Sequence, residues 1–290
     1  MNILVTGCNG QLGKEFQKIA KTEEISYDWF FTDIDTLDIC NETKINDFIH
    51  EYKIDVCINC AAYTAVDKAE DEIDKARLIN ADAVRILAET CKNNNILLVH
   101  ISTDYVFDGS SDIPYKEYDK ISPKTIYGKT KAEGERYIIN SDCSYIIVRT
   151  SWLYSANGNN FVKTMLRLAS EKEFVSVVCD QNGNPTWAYD LAFAIVILLQ
   201  RNNNNKKTHE IFHYSNEGIT SWYNFAEAIF DISNKKCTVK PISTKDYPSK
   251  ATRPSFSALD KDKIKKFTGL NIPFWRDSLI KCIEEINNNN

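Results

Sequence analysis

A glycine-rich turn directly after the first strand is the feature that most limits how this chain can fold. Residues 2–6 are predicted to form a buried strand, and Gly7-Cys-Asn-Gly10-Gln-Leu-Gly13 follows before an amphipathic helix. Glycines in this pattern allow a tight turn, close approach of the backbone to a phosphate, and close packing of helix on strand. The N-terminus of the helix then offers free N–H groups to a pyrophosphate. We predict dinucleotide binding at Gly7, Gly10 and Gly13, the alternative being a purely structural turn.

Strands and helices alternate through the first half of the chain. Further strands are predicted at residues 27–32, 55–59, 96–102 and 145–149, with helical patterns between them, including one long acidic helix from about Asp67 to Lys92. Such alternation implies a parallel sheet with right-handed crossovers. We therefore predict an α/β protein with a Rossmann-like doubly wound parallel sheet in residues 1–153. A smaller C-terminal α/β substrate domain, mainly residues 154–290, would follow, and part of 187–215 would return to the first domain.

An acidic residue follows the second predicted strand. Asp33 lies twenty residues beyond Gly13, where a dinucleotide fold commonly places a carboxylate on the adenosine ribose. A carboxylate there would repel a 2′-phosphate, so NADH is favoured over NADPH. The alternative is that Asp33 or Asp35 caps a loop.

A strand end and a helix face carry candidate acid chemistry. Thr103 ends the fourth predicted strand, and Ser122-Pro123 is predicted to begin a helix that presents Tyr127 and Lys131. Residues four apart share a helix face. A lysine charge about 4 Å from the phenol would supply the roughly 4 kcal/mol that brings a tyrosine near pH 7. The alternative is an exposed helix face that carries a tyrosine and a lysine.

Two other motifs match known chemistry by spacing alone. Cys57-x-x-Cys60 has a redox spacing but lies in a strand and its end, where no helix N-terminus lowers a thiol pKa. His209-Glu-Ile-Phe-His213 spells a zinc-hydrolase pattern that requires a helix. This segment is predicted to be a strand, in which residues four apart lie roughly 13 Å apart. We therefore expect neither a redox centre nor a metal site.

Composition excludes several classes of partner. The 290 residues carry a net charge of −5 with no basic block, so we expect no nucleic-acid partner. No window reaches the roughly eighteen apolar residues of a membrane span, and no secretory signal is recognised at the N-terminus. Nine cysteines without framework spacing favour reduced thiols and a cytoplasmic location.

These motifs together resemble the extended short-chain dehydrogenase/reductases. The segments that carry the resemblance cover nearly the whole chain, and they are 6–13, 61–70, 102–108, 127–131, 149–152, 159–161, 180–186 and Arg253-Pro254. The similarity is greatest to members that reduce the C4 keto group of dTDP-4-dehydro-β-L-rhamnose to dTDP-L-rhamnose. It implies an NAD(P)H-dependent enzyme with a dTDP-sugar substrate. The alternatives are a reductase of another nucleotide-linked 4-keto-deoxy sugar and a non-catalytic regulatory subunit of the same fold.

The resemblance also implies residue roles. Tyr127 would protonate the C4 oxygen, Lys131 would hold the ribose and lower the Tyr127 pKa, and Thr103 would hydrogen-bond the carbonyl. The cofactor would contact Gly7, Gly10, Gln11, Leu12, Gly13, Asp33, Asp38, Ile39, Ala61, Ala62, Tyr63, Thr64, Tyr127 and Lys131. The substrate would contact Thr103, Asp104, Tyr105, Trp152, Asn160, Gln181 and Arg253.

Some members of this family hold Mg²⁺ between glutamates at a dimer interface. Glu15 matches one such position, but Tyr189 stands where a second carboxylate is expected. We therefore expect no metal here, and Mg²⁺ is doubtful. The resemblance still leaves room for a homodimer.

Overall fold

A computed structural model describes residues 1–22, 27–202 and 207–289 of the chain. Its strands are β1 (Asn2–Thr6), β2 (Asp28–Phe31), β3 (Val56–Asn59), β4 (Leu97–Thr103), β5 (Tyr145–Thr150), β6 (Leu153–Tyr154), β7 (Phe174–Val178), β8 (Asn182–Gly183), β9 (Thr186–Trp187), β10 (His209–His213), β11 (Thr220–Ser221) and β12 (Thr238–Ile242). Its α-helices are α1 (Gln11–Ile19), α2 (Glu42–Tyr52), α3 (Val66–Ala69), α4 (Ile73–Arg77), α5 (Ala83–Asn93), α6 (Ile126–Ser141), α7 (Phe161–Glu171), α8 (Ala188–Asn202), α9 (Trp222–Ile232), α10 (Asp262–Thr268) and α11 (Trp275–Asn288). Within these ranges, no helix is long and apolar enough to cross a membrane.

The central sheet is parallel throughout. In the described part of the chain its strands lie in the order β10-β5-β4-β3-β1-β2. The chain moves from β1 to one side for β2 and to the other side for β3, so the strand order reverses between β1 and β3. A crevice opens at the carboxyl ends of strands at such a reversal and is where ligands bind in this architecture. The predicted Rossmann-like doubly wound sheet is confirmed.

Helices cover both faces of the sheet because successive strand residues point to opposite sides. On one face, Ile3 and Val5 of β1 pack with α1 and α8 in one apolar cluster. On the other face, Leu4 packs with apolar residues of α2 and α5, among them Ile45 and Leu87. Every one of these side chains is at most 1% exposed, so the sheet is buried on both sides.

The C-terminal half builds a second apolar cluster. It lies between the parallel pair β7 and β12 and the helices α7, α9 and α11, with Phe225 and Leu279 fully buried at 0% exposure. Helix α8, however, packs on α1, and β10 extends the central sheet beside β5. The division of the chain at residue 153 stays a prediction.

The long helix predicted from Asp67 to Lys92 is wrong. The segment contains α3, a turn, α4, a π-helical turn at Leu78–Asp82, and α5. After α3 ends, the Glu70 carboxylate accepts the backbone N–H of Ile126 at 2.9 Å. The chain is therefore bent by contacts with residues far away in sequence.

The predicted start of the next helix is also wrong. Helix α6 begins at Ile126, and Thr125 is its N-cap, with its hydroxyl accepting the N–H of Gly128 at 3.0 Å. The backbone N–H of Ser122 is instead bonded to the carbonyl of Val106 at 2.9 Å. Ser122 therefore belongs to the preceding loop, and the helix starts a few residues later.

A buried ion pair fixes α6 against the sheet. Arg149 of β5 donates two hydrogen bonds to the Glu135 carboxylate of α6, at 2.9 and 2.7 Å, and both side chains are 1% exposed. Arg149 also donates to the carbonyl of Glu117 at 3.2 Å. Two parallel bonds of this kind set both distance and orientation.

Removing one partner of this pair should destabilise the fold. Arg149→Met leaves the Glu135 carboxylate buried without a counter-charge, which costs about 3–5 kcal/mol in such sites. Urea unfolding measures the loss. The double variant Arg149→Met/Glu135→Leu removes the unpaired buried charge and should recover most of the lost free energy of unfolding. A loss below about 1 kcal/mol in the single variant would contradict the assignment.

Candidate functional site

A cavity of about 480 Å³ opens at the carboxyl ends of β1, β3 and β4. Most of the predicted site residues line it: Gly7, Gly10, Gln11, Leu12, Gly13, Ala62, Thr64, Thr103, Asp104, Tyr105, Tyr127, Lys131, Trp152 and Asn160. The predicted residues outside its wall are Asp33, Asp38, Ile39, Ala61, Tyr63, Gln181 and Arg253. The sequence analysis missed Cys60, Val66, Ile101, Ser102, Thr150, Ser151, Leu153, Gly158 and Asn159.

The glycine turn brings two loops into close contact. Gly7 has φ +65°, and a Cβ there would lie 2.6 Å from the backbone nitrogen of Ala61, which follows β3. A Cβ at Gly13 would lie 2.5 Å from the Gly7 carbonyl. Helix α1 begins at Gln11 with no side-chain cap. Its first N–H groups therefore suit a pyrophosphate, so the turn fits a dinucleotide.

Asp33 lies beside this turn. Its carboxylate accepts the N–H of Asn9 at 2.8 Å and that of Ile34 at 2.8 Å. The Asp33 carboxylate therefore lies next to the glycine turn and also caps its own loop. Asp38 caps its own loop by accepting the N–H of Cys40 at 2.9 Å, and Ile39 is buried.

The catalytic candidates come from β4 and α6. The Thr103 hydroxyl donates to Asp104 at 2.9 Å and accepts the N–H of Tyr105 at 3.2 Å. Tyr127 and Lys131 lie four residues apart on α6, as the spacing predicts. Burial raises the pKa of the Tyr127 phenol, and its hydrogen bond with Thr103 opposes that increase. The sequence analysis expected Lys131 to lower this pKa, but in the structure the pKa is raised.

Lys131 is directed toward β4. Its ammonium nitrogen lies 2.6 Å from the carbonyl oxygen of Ile101 and 3.0 Å from Nε2 of His100. Burial lowers the pKa of Lys131 to about 8, and Glu135 one turn along α6 opposes that shift. The lysine is therefore closer to releasing its proton than a lysine in water.

Two further side chains shape the cavity beside Thr103. Asp104 is 3% exposed, and burial raises the pKa of its carboxyl to about 6. Trp152 adopts a left-handed backbone conformation with φ +47°, and its indole stacks on Trp222 with ring centroids 3.6 Å apart. A bulky residue in this conformation is strained and is retained where packing fixes it. The Trp152 ring is thereby held at the cavity wall.

Asn80 connects the cavity loops to α6. Its amide accepts the N–H of Tyr63 at 2.9 Å, donates to the Tyr63 carbonyl at 3.0 Å, and donates to Thr130 at 3.2 Å. Asn80 therefore bridges the backbone of the loop after β3 and the side chain of Thr130. The π-helical turn is what presents Asn80 in this direction.

The three outer substrate candidates are held in different ways. Asn160 lies at the cavity wall, caps α7 by accepting the N–H of Lys163 at 3.1 Å, and donates to Gln11 at 3.0 Å. Gln181 is buried and donates to Thr244 at 3.1 Å, away from this cavity. Arg253 is ion-paired with Asp67 at 2.5 Å.

The two motifs set aside on spacing lie in β10 and at the end of β3. His209–His213 is β10, a strand, as predicted. Cys57 and Cys60 are free thiols, and burial raises the pKa of Cys60. In the described ranges no group of three or more His, Cys, Asp or Glu side chains is arranged to hold a metal. Glu15 is buried and accepts the Ser155 hydroxyl at 2.5 Å.

The fold and the cavity define a class. A doubly wound parallel sheet places an uncapped helix N-terminus and a glycine turn next to a Thr, Tyr and Lys set, which is the arrangement of a Rossmann-type nicotinamide-dependent oxidoreductase.

The chain belongs to the family described as "RmlD substrate binding domain", whose model matches residues 1–288. It is 40% identical to dTDP-4-dehydrorhamnose reductase of Aggregatibacter actinomycetemcomitans over 96% of both chains. The crystal structure of a dTDP-4-dehydrorhamnose reductase from Clostridium acetobutylicum is similar, with a TM-score of 0.93 and 41% identity over 99% of this chain and all of that one. The crystal structure of the dTDP-4-dehydrorhamnose reductase from Bacillus anthracis in complex with NADP has a TM-score of 0.92. It is 39% identical and covers 98% of this chain and 99% of that one.

The raised pKa of Asp104 leads to a stability prediction. The folded-state pKa of about 6 lies above the ordinary value, so folding favours the protonated acid and wild-type stability falls as pH rises from about 4 through about 6. Asp104→Asn, which stays neutral, should be more stable than wild type at pH 7.5 by up to about 3 kcal/mol. Urea unfolding at pH 7.5 and 4.5 measures this.

The gain should shrink toward zero at the lower pH, because wild-type Asp104 is then protonated. Asp112→Asn, at an exposed position, is the matched control and should change stability little at either pH. An Asp104→Asn protein that is no more stable than wild type at pH 7.5 would contradict the assignment.

Proposed function

We propose that this chain reduces the C4 keto group of dTDP-4-dehydro-β-L-rhamnose to dTDP-L-rhamnose, using a reduced nicotinamide cofactor. The observation that carries the proposal is that Thr103, Tyr127 and Lys131 line the same cavity as the glycine turn. The identity of the sugar is supported by family membership and by relatives named for this activity.

The cofactor residues are those around the turn and the loop after β3. The N–H groups of Gln11 and Leu12 hold the pyrophosphate, while Gly7 allows the backbone to approach it. Asp33, whose carboxylate accepts the N–H of Asn9 in the turn, is assigned to the adenosine side. Bound there, the reduced nicotinamide supplies the hydride. Further contacts are assigned to Gly10, Gly13, Asp38, Ile39, Ala61, Ala62, Tyr63, Thr64 and Lys131.

The proton comes from the protein. Tyr127 donates its phenolic proton to the C4 oxygen as negative charge develops on that oxygen, and Thr103 donates a hydrogen bond to the same atom. Lys131 supplies positive charge on the same helix face. Asp104, Tyr105 and Trp152 hold the sugar, with Asn160, Gln181 and Arg253 assigned to the outer part of the nucleotide sugar.

The cellular location, the metal content and the oligomeric state are also part of the proposal. All nine cysteines are free thiols, which suits a reducing cytoplasm. No metal is assigned, because Glu15 is already engaged by Ser155 and Tyr189 offers no carboxylate. A homodimer is consistent with the family resemblance, and light scattering measures it.

Replacing the proton donor should abolish turnover. Tyr127→Phe removes the phenolic proton and should lower kcat by at least roughly 100-fold, a typical contribution of general acid catalysis. NADH and NADPH consumption with dTDP-4-dehydro-β-L-rhamnose measures this. Tyr118→Phe, at a position that is 80% exposed, is the control and should keep wild-type turnover.

Undiminished turnover by Tyr127→Phe would remove Tyr127 from the mechanism. A wild-type protein that turns over another dTDP-linked 4-keto sugar but not this one would replace the proposed substrate. A stable hetero-complex without reductase activity on any keto sugar would favour the regulatory-subunit alternative.

Asp33 should set the cofactor preference toward NADH. A carboxylate beside the turn repels a 2′-phosphate, so Asp33→Ser should lower the KM for NADPH by roughly tenfold, about 1.4 kcal/mol. Steady-state kinetics with both cofactors measure this, and Asp35→Ser, at an exposed neighbouring position, is the control. The Bacillus anthracis relative was solved with NADP, so a wild-type enzyme that prefers NADPH would overturn this role.

A further inference from the structure

A chain of buried polar side chains leads from β1 to the catalytic lysine. It runs from Thr6 through Asn59 and His100 to Lys131, crossing β1, β3, β4 and α6 in that order. Each of the four residues is at most 2% exposed. Buried polar atoms of this kind must match donor to acceptor, since water cannot replace a missing partner. The direction of each hydrogen bond can therefore be deduced.

The orientation of Asn59 is set by a backbone group. The N–H of Ala61, which can only donate, lies 3.2 Å from Oδ1 of Asn59, and the Thr6 hydroxyl donates to the same oxygen at 2.7 Å. The reversed amide would bring two donors together at Ala61. Nδ2 of Asn59 therefore points to Nδ1 of His100, 3.1 Å away, and donates to it.

The tautomer of His100 follows from this orientation. Nδ1 accepts a hydrogen bond and carries no proton, so the neutral ring carries its proton on Nε2. That Nε2–H lies 3.0 Å from Nζ of Lys131, which also donates to the Ile101 carbonyl at 2.6 Å. An ammonium would set donor against donor, whereas the neutral amine accepts from Nε2–H.

We propose that His100 is a positioning residue. Its Nε2–H donates a hydrogen bond to Nζ of Lys131 and so favours the neutral amine of the catalytic lysine. Its catalytic consequence rests on the proposed function. When Tyr127 gives its proton to the substrate oxygen, a proton must return to the phenolate. Lys131 releases one from its ammonium toward that site, the remaining amine is held by His100, and solvent restores the proton.

The charged and titratable groups around Lys131 are few. Glu135, one turn along α6, and Cys60, after β3, act to raise the Lys131 pKa, while burial lowers it to about 8. Burial keeps Cys60 a neutral thiol by raising its pKa. Burial and the charge of Lys131 both lower the pKa of His100, which keeps the imidazole neutral. Near neutral pH the His100 ring is therefore neutral, and Lys131 is an ammonium that is close to its neutral state.

A second buried histidine provides an internal control. Nδ1 of His213 lies 3.0 Å from the Tyr115 carbonyl oxygen, which can only accept, so Nδ1 of His213 carries the proton. Its Nε2 lies 3.4 Å from the Arg149 guanidinium, a donor. Burial lowers the His213 pKa to about 3, so this ring is also neutral. The two buried histidines should have opposite tautomers.

Proton–nitrogen correlation NMR of the imidazole rings at pH 7 tests the hydrogen-bond assignment directly. In the wild-type protein, His100 should show a protonated Nε2 and a bare Nδ1, and His213 should show the reverse. The His100 signals are identified by their loss in His100→Gln. A His100 ring protonated on Nδ1, or on both nitrogens, would overturn the proposal. This result does not depend on enzymatic activity.

The pH profile of kcat tests the effect on Lys131. In wild type, reduction should fall as pH rises through about 8, because Lys131 loses its proton. The amide oxygen of His100→Gln can accept from the ammonium, so the alkaline limb should move up by about one pH unit, a tenfold change in the protonation equilibrium. His209→Gln, at the exposed end of β10, should leave the limb in place.

The outcomes separate the two proposals. An unmoved alkaline limb in a folded His100→Gln enzyme would overturn the role of His100. If the Gln variant does not fold, the wild-type spectrum decides the assignment, with selective side-chain labels identifying the rings. The expected tautomers in a protein without activity on any dTDP-linked keto sugar would overturn the proposed function and leave the Lys131–His100 hydrogen bond standing.

Discussion

The ion pair between Arg149 and Glu135 is the constraint on which the position of the catalytic helix depends. It joins β5 to α6 at two fixed distances in a setting from which water is excluded. Two glycines bring α6 equally close to its other neighbours. A Cβ at Gly128 would lie 2.2 Å from the Tyr105 carbonyl, and one at Gly134 would lie 2.3 Å from the Asn80 carbonyl. Helix α6 can therefore neither slide nor roll without breaking a contact on one side.

Local patterns were sufficient to predict the sheet, and distant contacts explain what they missed. Apolar runs separated by helical patterns specify parallel strands, and the glycine turn specifies the first crossover. The break in the predicted long helix depends instead on Glu70, whose carboxylate accepts the N–H of Ile126 fifty-six residues away. The start of α6 likewise depends on the Val106 carbonyl, which accepts the N–H of Ser122 and so holds that residue in the preceding loop. No short window of sequence contains such partners.

The candidate site shows the same division. Tyr127 and Lys131 could be found because helical spacing alone places them on one face, and Thr103 because it ends a strand that leads to the crevice. His100 was missed, since a polar residue inside a buried strand carries no periodic signal. Its partners Asn59 and Lys131 are 41 and 31 positions away. The lowered Tyr127 pKa was a wrong expectation for a related reason, because helical spacing does not reveal that β4 draws the lysine away.

One physical cause acts on both charges of this cavity. Burial disfavours the ionised form of either sign, so it raises the pKa of Asp104 to about 6 and lowers that of Lys131 to about 8. Between these values, near neutral pH, both groups are ionised but each is close to its neutral state. A site in this condition can move protons with a small change in free energy, since a pKa near the working pH makes proton transfer easiest in either direction. The packing that buries these two side chains thus also brings their pKa values close to neutral pH.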